Sequence, residues 1–410
     1  MYAARLLAVC GLFAGTANAA TLTYDQTLDL ADHTAPILSA SALSVKAASS
    51  AAIAAGRLPD PKASVQVSDY PISGPLAGHP GDDNFSMVTL SVSQDVPNIA
   101  KRRAIRARAR ADITSAEAEA LLERRKVRIA AGLAWIDVYY GERRLAALDE
   151  IGQALAPLRQ TAPARLASGA VRPAETLEPE QLTAALADRH AGLVADLAKA
   201  RAELGRWVEG GQAVEPSGPP PETMLEAAQL RAGLDDLPDL RVKSASIGRA
   251  EADAAVAAAQ KRPDWGYEVD YSHRDPRFGD YLSAKVTVSL PIFGTTRQDP
   301  VIAARLADVN RNLAEREQAR RDLTAALDSS LADHVMHHEQ LERVRQTLLP
   351  LAEKRARLET ASYAAGTAGL SDVLQALLAL AEVRISVIDR EAEVTRDGAR
   401  IALTYGSDTP

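Results

Sequence analysis

Four short segments of the chain alternate apolar and polar residues, which is the pattern of a β-strand with two different faces. Each is close to the length of about ten residues that crosses a bilayer in a tilted strand, and they cover residues 61–70, 85–96, 263–273 and 281–292. Glu268 and Asp270 occupy polar positions in the third segment, and Lys285 occupies one in the fourth. The alternation predicts a barrel with lipid outside and with these three side chains lining a watery lumen. The half-buried sheet of a soluble protein is the alternative.

Between the strands, apolar residues recur at steps of three and four, which predicts amphipathic helices of unusual length. Two of them should have roughly 70 residues and span about 105 Å each, and they cover residues 98–168 and 299–365. Four shorter helices are predicted at residues 24–55, 174–208, 223–261 and 371–405. The Arg and Glu residues between the apolar positions are expected to form solvated flanks.

The same order of elements occurs twice, the second time about 200 residues after the first. Each half has a helix, a strand, a loop, a second strand, a long helix and a returning helix. We therefore predict a first repeat at residues 20–215, a stiff Pro-rich linker at 216–221 and a second repeat at 222–410. A duplication of this shape is typical of a symmetric assembly and argues against an isolated active site.

The composition supports a protein made mainly of long helices. Charged residues make up 25% of the chain and aromatic residues only 4%, so the helices should pack through small side chains. The formal net charge of −7 does not indicate a basic surface for binding nucleic acid. The sequence contains no Gly-rich phosphate loop, nucleophile elbow or paired-carboxylate motif, and we therefore expect neither an enzyme nor a bound cofactor.

Residues 1–19 are predicted to be a secretory signal peptide. Arg5 is its basic part, an apolar run follows, and the small residues before Ala20 suit cleavage after Ala19. Cys10, the single cysteine, lies inside this segment. It could belong to a lipoprotein box, but Val9 is too large beside the cut. Beyond the signal peptide no run of about 18 apolar residues occurs, so no transmembrane helix is expected.

Four strands cannot close a barrel, and an open sheet edge in lipid would leave backbone groups unpaired. In its strands, paired helical hairpins and Pro-Asp segments, the mature chain resembles the TolC family of outer-membrane factors over essentially its whole length. The resemblance implies a mainly α protein with a small β part. It also implies a homotrimer with a helical α-barrel in the periplasm and a twelve-stranded transmembrane β-barrel, four strands from each protomer, surrounded by outer-membrane lipid.

The same resemblance implies a function and partners. Members of the family are the exit ducts of tripartite efflux pumps in Gram-negative bacteria, working with a periplasmic adaptor and an inner-membrane pump, here expected to be of the RND type. Residues 56–61 and the strand-to-helix crossing at residues 93–102 resemble the CzcC-type branch, which is associated with heavy-metal cation efflux.

Each long helix is predicted to end at a tight turn before the returning helix. Glycine permits the positive φ that ends a helix, and an acidic residue favours the start of the next one. The resemblance implies that these turns dock the adaptor, through Gly169, Ala170, Gly366, Thr367 and Gly369. It also assigns a periplasmic gate to Asp372, Tyr363, Glu175 and Gln375. Capping of the returning helix is the alternative role of Asp372.

The sequence departs from the better-known family pattern at two gate positions. Gln375 stands where a second acidic residue can occur, and Ala368 stands where an arginine can lock the gate. The resemblance therefore implies a weaker acidic ring at the entrance, with the closed state held by other contacts.

His334, His337 and His338 form the one cluster that resembles a metal site. His334 and His338 lie four residues apart, a spacing used by metal sites on helices. No further firm ligands lie nearby in the sequence, and surface or interhelical histidines explain the cluster as well.

Two other classes of protein share some of these features. A periplasmic adaptor has a signal peptide and a long helical hairpin, but it needs only one hairpin and more β structure. A soluble coiled-coil scaffold of an export system accounts for the helices but not for the alternating strands.

Overall fold

The computed structural model describes residues 20–167, 177–208, 214–222 and 224–406. The chain is 71% helical and divides into two compact units. The first, here called the sheet unit, comprises Ser39–Glu123 and Leu234–Leu323. The second, the helical unit, comprises the described residues of Met1–Leu38, Arg124–Gly233 and Thr324–Pro410. Each unit draws on both halves of the chain, and the boundaries of the two repeats remain a prediction.

The sheet unit contains one antiparallel sheet, and its four long strands confirm the predicted ones. They are β2 (Lys62–Ser68), β3 (Met87–Val96), β5 (Trp265–His273) and β6 (Tyr281–Val288), hydrogen-bonded in that spatial order. The register aligns Lys62, Ser93, Glu268 and Lys285 in one row across the sheet. Because side chains alternate along each strand, this row and every second row beyond it share a face.

Helices of the sheet unit pack through small side chains, as the composition predicted. They are α2 (Pro36–Ala54), α6 (Pro238–Ala259) and the first parts of α3 (Ile99–Ala167) and α7 (Gly294–Arg343). Six of the eight buried residues of α6 are alanines. Ion pairs cross the same helices, including Arg108 with Asp253 at 2.8 Å and Arg249 with Asp112 at 3.0 Å.

Helix α2 corrects the expectation that no helix could cross a membrane. By length and composition alone it qualifies: it has 19 residues, and an 18-residue window within it has a mean hydropathy of 1.4. None of its residues is buried. Its isoleucine, leucine, valine and alanine residues account for this value, and Lys46 is its only charged residue.

The helical unit contains the rest of α3 and α7, together with α1 (Tyr24–Thr34), α4 (Glu178–Trp207), α8 (Leu349–Ala364) and α9 (Leu370–Tyr405). Its core is built around Trp135, which is fully buried. Tyr24 meets the Trp135 ring edge-on at 5.7 Å and Tyr139 stacks on it at 5.3 Å. Burial raises the pKa of Tyr24 to about 12, so its hydroxyl remains neutral.

A short parallel pairing in the helical unit was not predicted. Strand β1 (Ala20–Leu22) pairs with β4 (Val214–Pro216), which includes the first residue of the predicted linker. The indole N–H of Trp135 donates to the Leu22 carbonyl at 2.9 Å and ties β1 to the core. Strands of three residues carry too little alternation to be recognised from sequence.

Proline explains most of the differences between predicted and observed helices. The predicted helix at 24–55 divides at Ala35 because Pro36 cannot donate a backbone hydrogen bond. The one at 223–261 becomes α5 (Ala227–Ala232), a 3₁₀ turn at Leu234–Asp236 and then α6, which begins at Pro238. A π-helical segment at Val344–Leu348 precedes Pro350 and joins α7 to α8.

Gly56, between α2 and β2, provides a test of this packing. Its φ is +63°, and an added Cβ would lie 2.3 Å from the Arg102 carbonyl oxygen. Gly56→Ala should therefore destabilise the protein by roughly 2–4 kcal/mol, from backbone strain and overpacking together. Gly248→Ala is the matched control, because no atom lies within 4 Å of its Cβ position in α6. Thermal unfolding in detergent measures both, and equal stability of Gly56→Ala and the wild type would contradict the packing described here.

Candidate channel lining and entrance turn

One face of the sheet leaves large apolar side chains open. On this face Trp265, Tyr267, Val269 and Tyr271 are each between 46% and 50% exposed. On the other face Ser91 and Ser272 are 8% and 7% exposed, whereas the Lys62 and Lys285 side chains are 69% and 60% exposed. An open apolar face of this kind is typical of a surface that contacts a partner or a membrane.

All three predicted lining residues lie on the polar face of the sheet. The Lys285 Nζ lies 2.7 Å from the Glu268 carboxylate, across the β5–β6 pair. Asp270 occupies the next row of that face, beside Ser91 and Ser283.

Sequence reasoning missed a second ion pair on this face. Lys62 and Asp95 bind each other at 2.7 Å. Lys62 lies in the first predicted strand and Asp95 in the second, and both occupy polar positions of the alternating pattern. The sequence did not give the register between strands, which brings both residues near Glu268.

The two outer strands of the sheet each have one unpaired edge in the part of the chain that the structure describes. β2 pairs only with β3, and β6 pairs only with β5. Unpaired N–H and C=O groups in a nonpolar surrounding cost several kcal/mol each. Placed in lipid, these edges would need strands from another molecule.

A polar cluster fixes the crossing from sheet to helix. The Asp264 carboxylate accepts hydrogen bonds from the Asn98 backbone N–H at 2.8 Å and from Lys101 Nζ at 2.8 Å. Burial opposes ionisation of Asp264, yet the bonds from Lys101 and Asn98 together lower its pKa. Asn98 also caps α3, its side-chain oxygen accepting from the Lys101 N–H at 2.8 Å. The cluster sets the direction in which β5 and α3 start.

The turn between α8 and α9 has the predicted geometry. Gly366 has a φ of +77°, which confirms the left-handed position expected there. The Gly366 N–H donates to the Tyr363 carbonyl at 3.1 Å and the Thr367 N–H to the Ser362 carbonyl at 2.9 Å. These two bonds are the Schellman arrangement, which satisfies the last carbonyls of a helix. The first predicted turn, with Gly169, Ala170 and Glu175, lies outside the described residues.

Asp372 makes the contact expected of a helix cap. Its Oδ2 accepts the backbone N–H of Gly369 at 3.0 Å, at the start of α9. Gln375 lies one turn further along with an exposed side chain, and its amide is 3.5 Å from the Ser371 hydroxyl. Capping is thus realised in this chain, and the gate role of both residues remains a prediction.

Tyr363 is buried beneath this turn. It is 8% exposed and belongs to a cluster with Leu148, Leu370 and Val373. The ring therefore anchors the end of α8 to the start of α9. Its predicted role as a gate contact stays a prediction.

The three histidines lie along α7 without converging on a common point for a metal. His337 Nδ1 lies 2.6 Å from Asp397 Oδ2, and burial lowers the pKa of His334. Among the residues that the structure describes, no group of three or more His, Cys, Asp or Glu side chains could hold a metal ion.

Ion pairs between the long helices were not anticipated. Glu391 on α9, with its side chain 12% exposed, binds Arg143 of α3 at 2.7 Å and Arg345 at 2.5 Å. Arg144 binds Asp389 at 2.6 Å. The Arg and Glu residues of the helices were expected to form solvated flanks, but these pairs connect neighbouring helices.

With this geometry in view, the chain can be compared with known proteins. Its fold is similar to that of a membrane protein from Pseudomonas aeruginosa, with a TM-score of 0.81, 16% identity, and coverage of 93% of this chain and 90% of that one. The fold is also similar to that of the CmeC outer membrane channel of Campylobacter jejuni, with a TM-score of 0.78 and 12% identity. That match covers 93% of this chain and 85% of CmeC. For the outer membrane protein VceC of Vibrio cholerae the TM-score is 0.77 and the identity 16%, and the match covers 93% of this chain and 96% of VceC.

The fold is therefore the mainly α fold of outer-membrane channels, with its small β part. Residues 231–407 also match the family model of the outer membrane efflux protein. This match covers less than half of the chain, and the three solved structures, at 12–16% identity, are similar to it in fold. No curated protein matches the sequence, and no catalytic family is indicated.

The Asp372 contact predicts a graded stability series. Asp372→Ala removes the acceptor for the Gly369 N–H and should cost about 1 kcal/mol. Asp372→Asn keeps an acceptor and should lose only the charge–dipole part, about 0.3–1 kcal/mol. Gln375→Ala, at an exposed neighbouring position, is the control and should change stability by less than about 0.5 kcal/mol. Denaturant unfolding in detergent measures the series.

The same variants separate capping from a gate. If Asp372 forms an acidic ring, Asp372→Asn should reduce block by multivalent cations in bilayer recordings. Unchanged ion selectivity and block in Asp372→Asn would leave capping as the whole role of this residue.

Proposed function

We propose that this chain forms the exit channel of a tripartite efflux pump, as a homotrimer in the outer membrane of a Gram-negative bacterium. The observation that carries the proposal is the sheet. Its apolar face is open, its charged residues share the opposite face, and both of its edges are unpaired in the described part of the chain. Lipid against the apolar face and a neighbouring protomer at each edge meet all three requirements.

Three protomers would contribute twelve strands and close the barrel. In that barrel the row containing Lys62, Glu268 and Lys285 faces the lumen. Substrate would cross it passively, since charges of both signs line the row and no bound group is needed. The helices would continue the passage into the periplasm as an α-barrel.

The turn at Gly366, Thr367 and Gly369 is the proposed docking point for a periplasmic adaptor, together with its counterpart at Gly169 and Ala170. Backbone groups are accessible there because the turn residues Gly366, Thr367 and Gly369 are exposed. The adaptor would in turn connect to an inner-membrane pump of the RND type. Asp372, Glu175, Gln375 and Tyr363 are the proposed residues of the periplasmic gate.

Transition-metal cations are the first substrate class to test. The support is the resemblance of residues 56–61 to the CzcC-type branch. An acidic ring at Asp372 would raise the local cation concentration at the entrance.

A periplasmic adaptor or scaffold is the competing function. It would explain long helices but would leave an exposed apolar sheet face without a partner. The family match to outer membrane efflux proteins also favours the channel.

Charge changes in the proposed lumen should alter ion selectivity in opposite directions. Lys285→Gln removes one positive charge per protomer and leaves Glu268 unpaired, so cation selectivity should increase. Glu268→Gln should decrease it. The pair is partly exposed, with 60% and 28% of the two side chains accessible, so trimer stability should change by less than about 1 kcal/mol. Reversal potentials in planar bilayers under a salt gradient measure the effect.

Tyr267→Phe on the apolar face is the control for these recordings. The same selectivity in Lys285→Gln, Glu268→Gln and wild type would place both residues outside the conducting path.

Complementation of a deletion strain tests substrate class and docking together. The wild-type gene should restore resistance to transition-metal cations. Gly366→Lys should fail to restore it, because a long charged side chain at the turn obstructs docking. Gly366→Asn is the matched control, since Asn tolerates a left-handed backbone and keeps the turn. Trimer assembly is checked in both by extraction from membranes.

Two outcomes would contradict parts of this proposal. Restored resistance to drugs but not to metals would exclude the CzcC-type substrate class while leaving the channel intact. Full efflux by the assembled Gly366→Lys trimer would place the adaptor contact elsewhere.

A further inference from the structure

A groove lies on the apolar side of the sheet, where β5 begins and α3 leaves the strands. Its volume is about 330 Å³, and it lies entirely within the sheet unit. The large side chains that line it are Ile99, Arg102, Arg262, Trp265 and Tyr267.

Two guanidinium groups in this groove have no carboxylate partner among the residues that the structure describes. Arg102 Nε donates to the Gly56 carbonyl at 2.9 Å, which orients the guanidinium and leaves its terminal nitrogens without an acidic neighbour. Arg262 is exposed.

The nearby lysines differ from these arginines in being neutralised. Lys101 binds Asp264 at 2.8 Å, and Lys261 binds Asp299. Asp264 and Asp299 are therefore ion-paired with lysines, and the two arginines leave the groove with a net positive charge.

The same groove carries an exposed apolar surface. Trp265 and Tyr267 are about half exposed on the open face of the sheet, and Ile99 is 66% exposed. Trp and Tyr side chains at the end of a membrane strand lie at the level of the lipid headgroups. In the proposed outer-membrane location, the two arginines beside them would lie at the depth of the lipid phosphates, next to a surface that an acyl chain can cover.

We propose that this groove binds an anionic phospholipid, with Arg102 and Arg262 holding its phosphate and Trp265, Tyr267 and Ile99 contacting the upper part of its acyl chains. The proposal rests on the outer-membrane location proposed above. Arginine suits this role because its planar donors bind two phosphate oxygens at once. The apolar flank favours a lipid over free phosphate, which would gain nothing from Trp265 and Tyr267.

Native mass spectrometry of the full-length trimer, released from detergent containing phosphatidylglycerol or phosphatidylcholine, tests the proposal. Wild type should retain phosphatidylglycerol preferentially. Arg262→Gln should weaken this retention by about tenfold, the effect of one charge-assisted contact. Arg355→Gln, which removes the same charge from an exposed position on α8, should retain the lipid like wild type. Arg102 also supports Gly56, so Arg262 is the cleaner position for the test.

Three results would overturn the lipid site. They are equal retention of both lipids by wild type, unchanged phosphatidylglycerol retention in Arg262→Gln, and displacement of the lipid by millimolar inorganic phosphate. Failure of the wild-type chain to insert into phosphatidylcholine vesicles at all would instead contradict the channel. Insertion without a lipid preference would contradict only the groove.

Discussion

The pairing of backbone N–H and C=O groups at the edges of one four-stranded sheet is the constraint on which the rest of this structure depends. The sheet exposes Val269 and Tyr271 on its open face and half-buries Glu268 and Asp270 on the other. In the proposed outer-membrane location, water could not satisfy the free edges of β2 and β6. Closure by further copies would satisfy both edges, so one requirement would account for the proposed membrane location and the proposed symmetric assembly.

The direction of the first long helix is set where the sheet ends. Asp264, Asn98 and Lys101 form a hydrogen-bonded cluster where the strands end, and they direct α3 away from the sheet. Alanine then lets α6 pack closely, and ion pairs such as Arg143 with Glu391 connect helices in the helical unit. In a chain with 4% aromatic residues, Trp135, Tyr24 and Tyr139 gather in one core and Trp265, Tyr267 and Tyr271 lie on the open face of the sheet.

Sequence patterns predicted the elements that are long and periodic. The four strands, and the shared face of Glu268, Asp270 and Lys285, could be predicted because side chains alternate along a strand with a period of two. That this face lines a channel remains a prediction. The left-handed backbone of Gly366 could be placed because few other residues adopt it. Strand β1 and the ion pairs of Glu391 could not be predicted, since each depends on contacts distant in sequence. The break before Pro36 follows from a local signal, the missing backbone N–H of proline, which the prediction of one helix at 24–55 did not use. The gate role of Asp372 depends on several copies of the chain around an axis. Within a single chain, only its contact as a cap of α9 can be recognised.

The orientation of the sheet can be measured directly, because the only cysteine, Cys10, lies in the predicted signal peptide. Single cysteines at positions 269, 270, 271 and 272, spin-labelled in reconstituted vesicles, would report accessibility to oxygen and to a water-soluble nickel chelate. We predict oxygen access at 269 and 271 and nickel access at 270 and 272. Nickel access at all four positions, or the opposite alternation, would contradict a lipid-facing sheet and with it the channel.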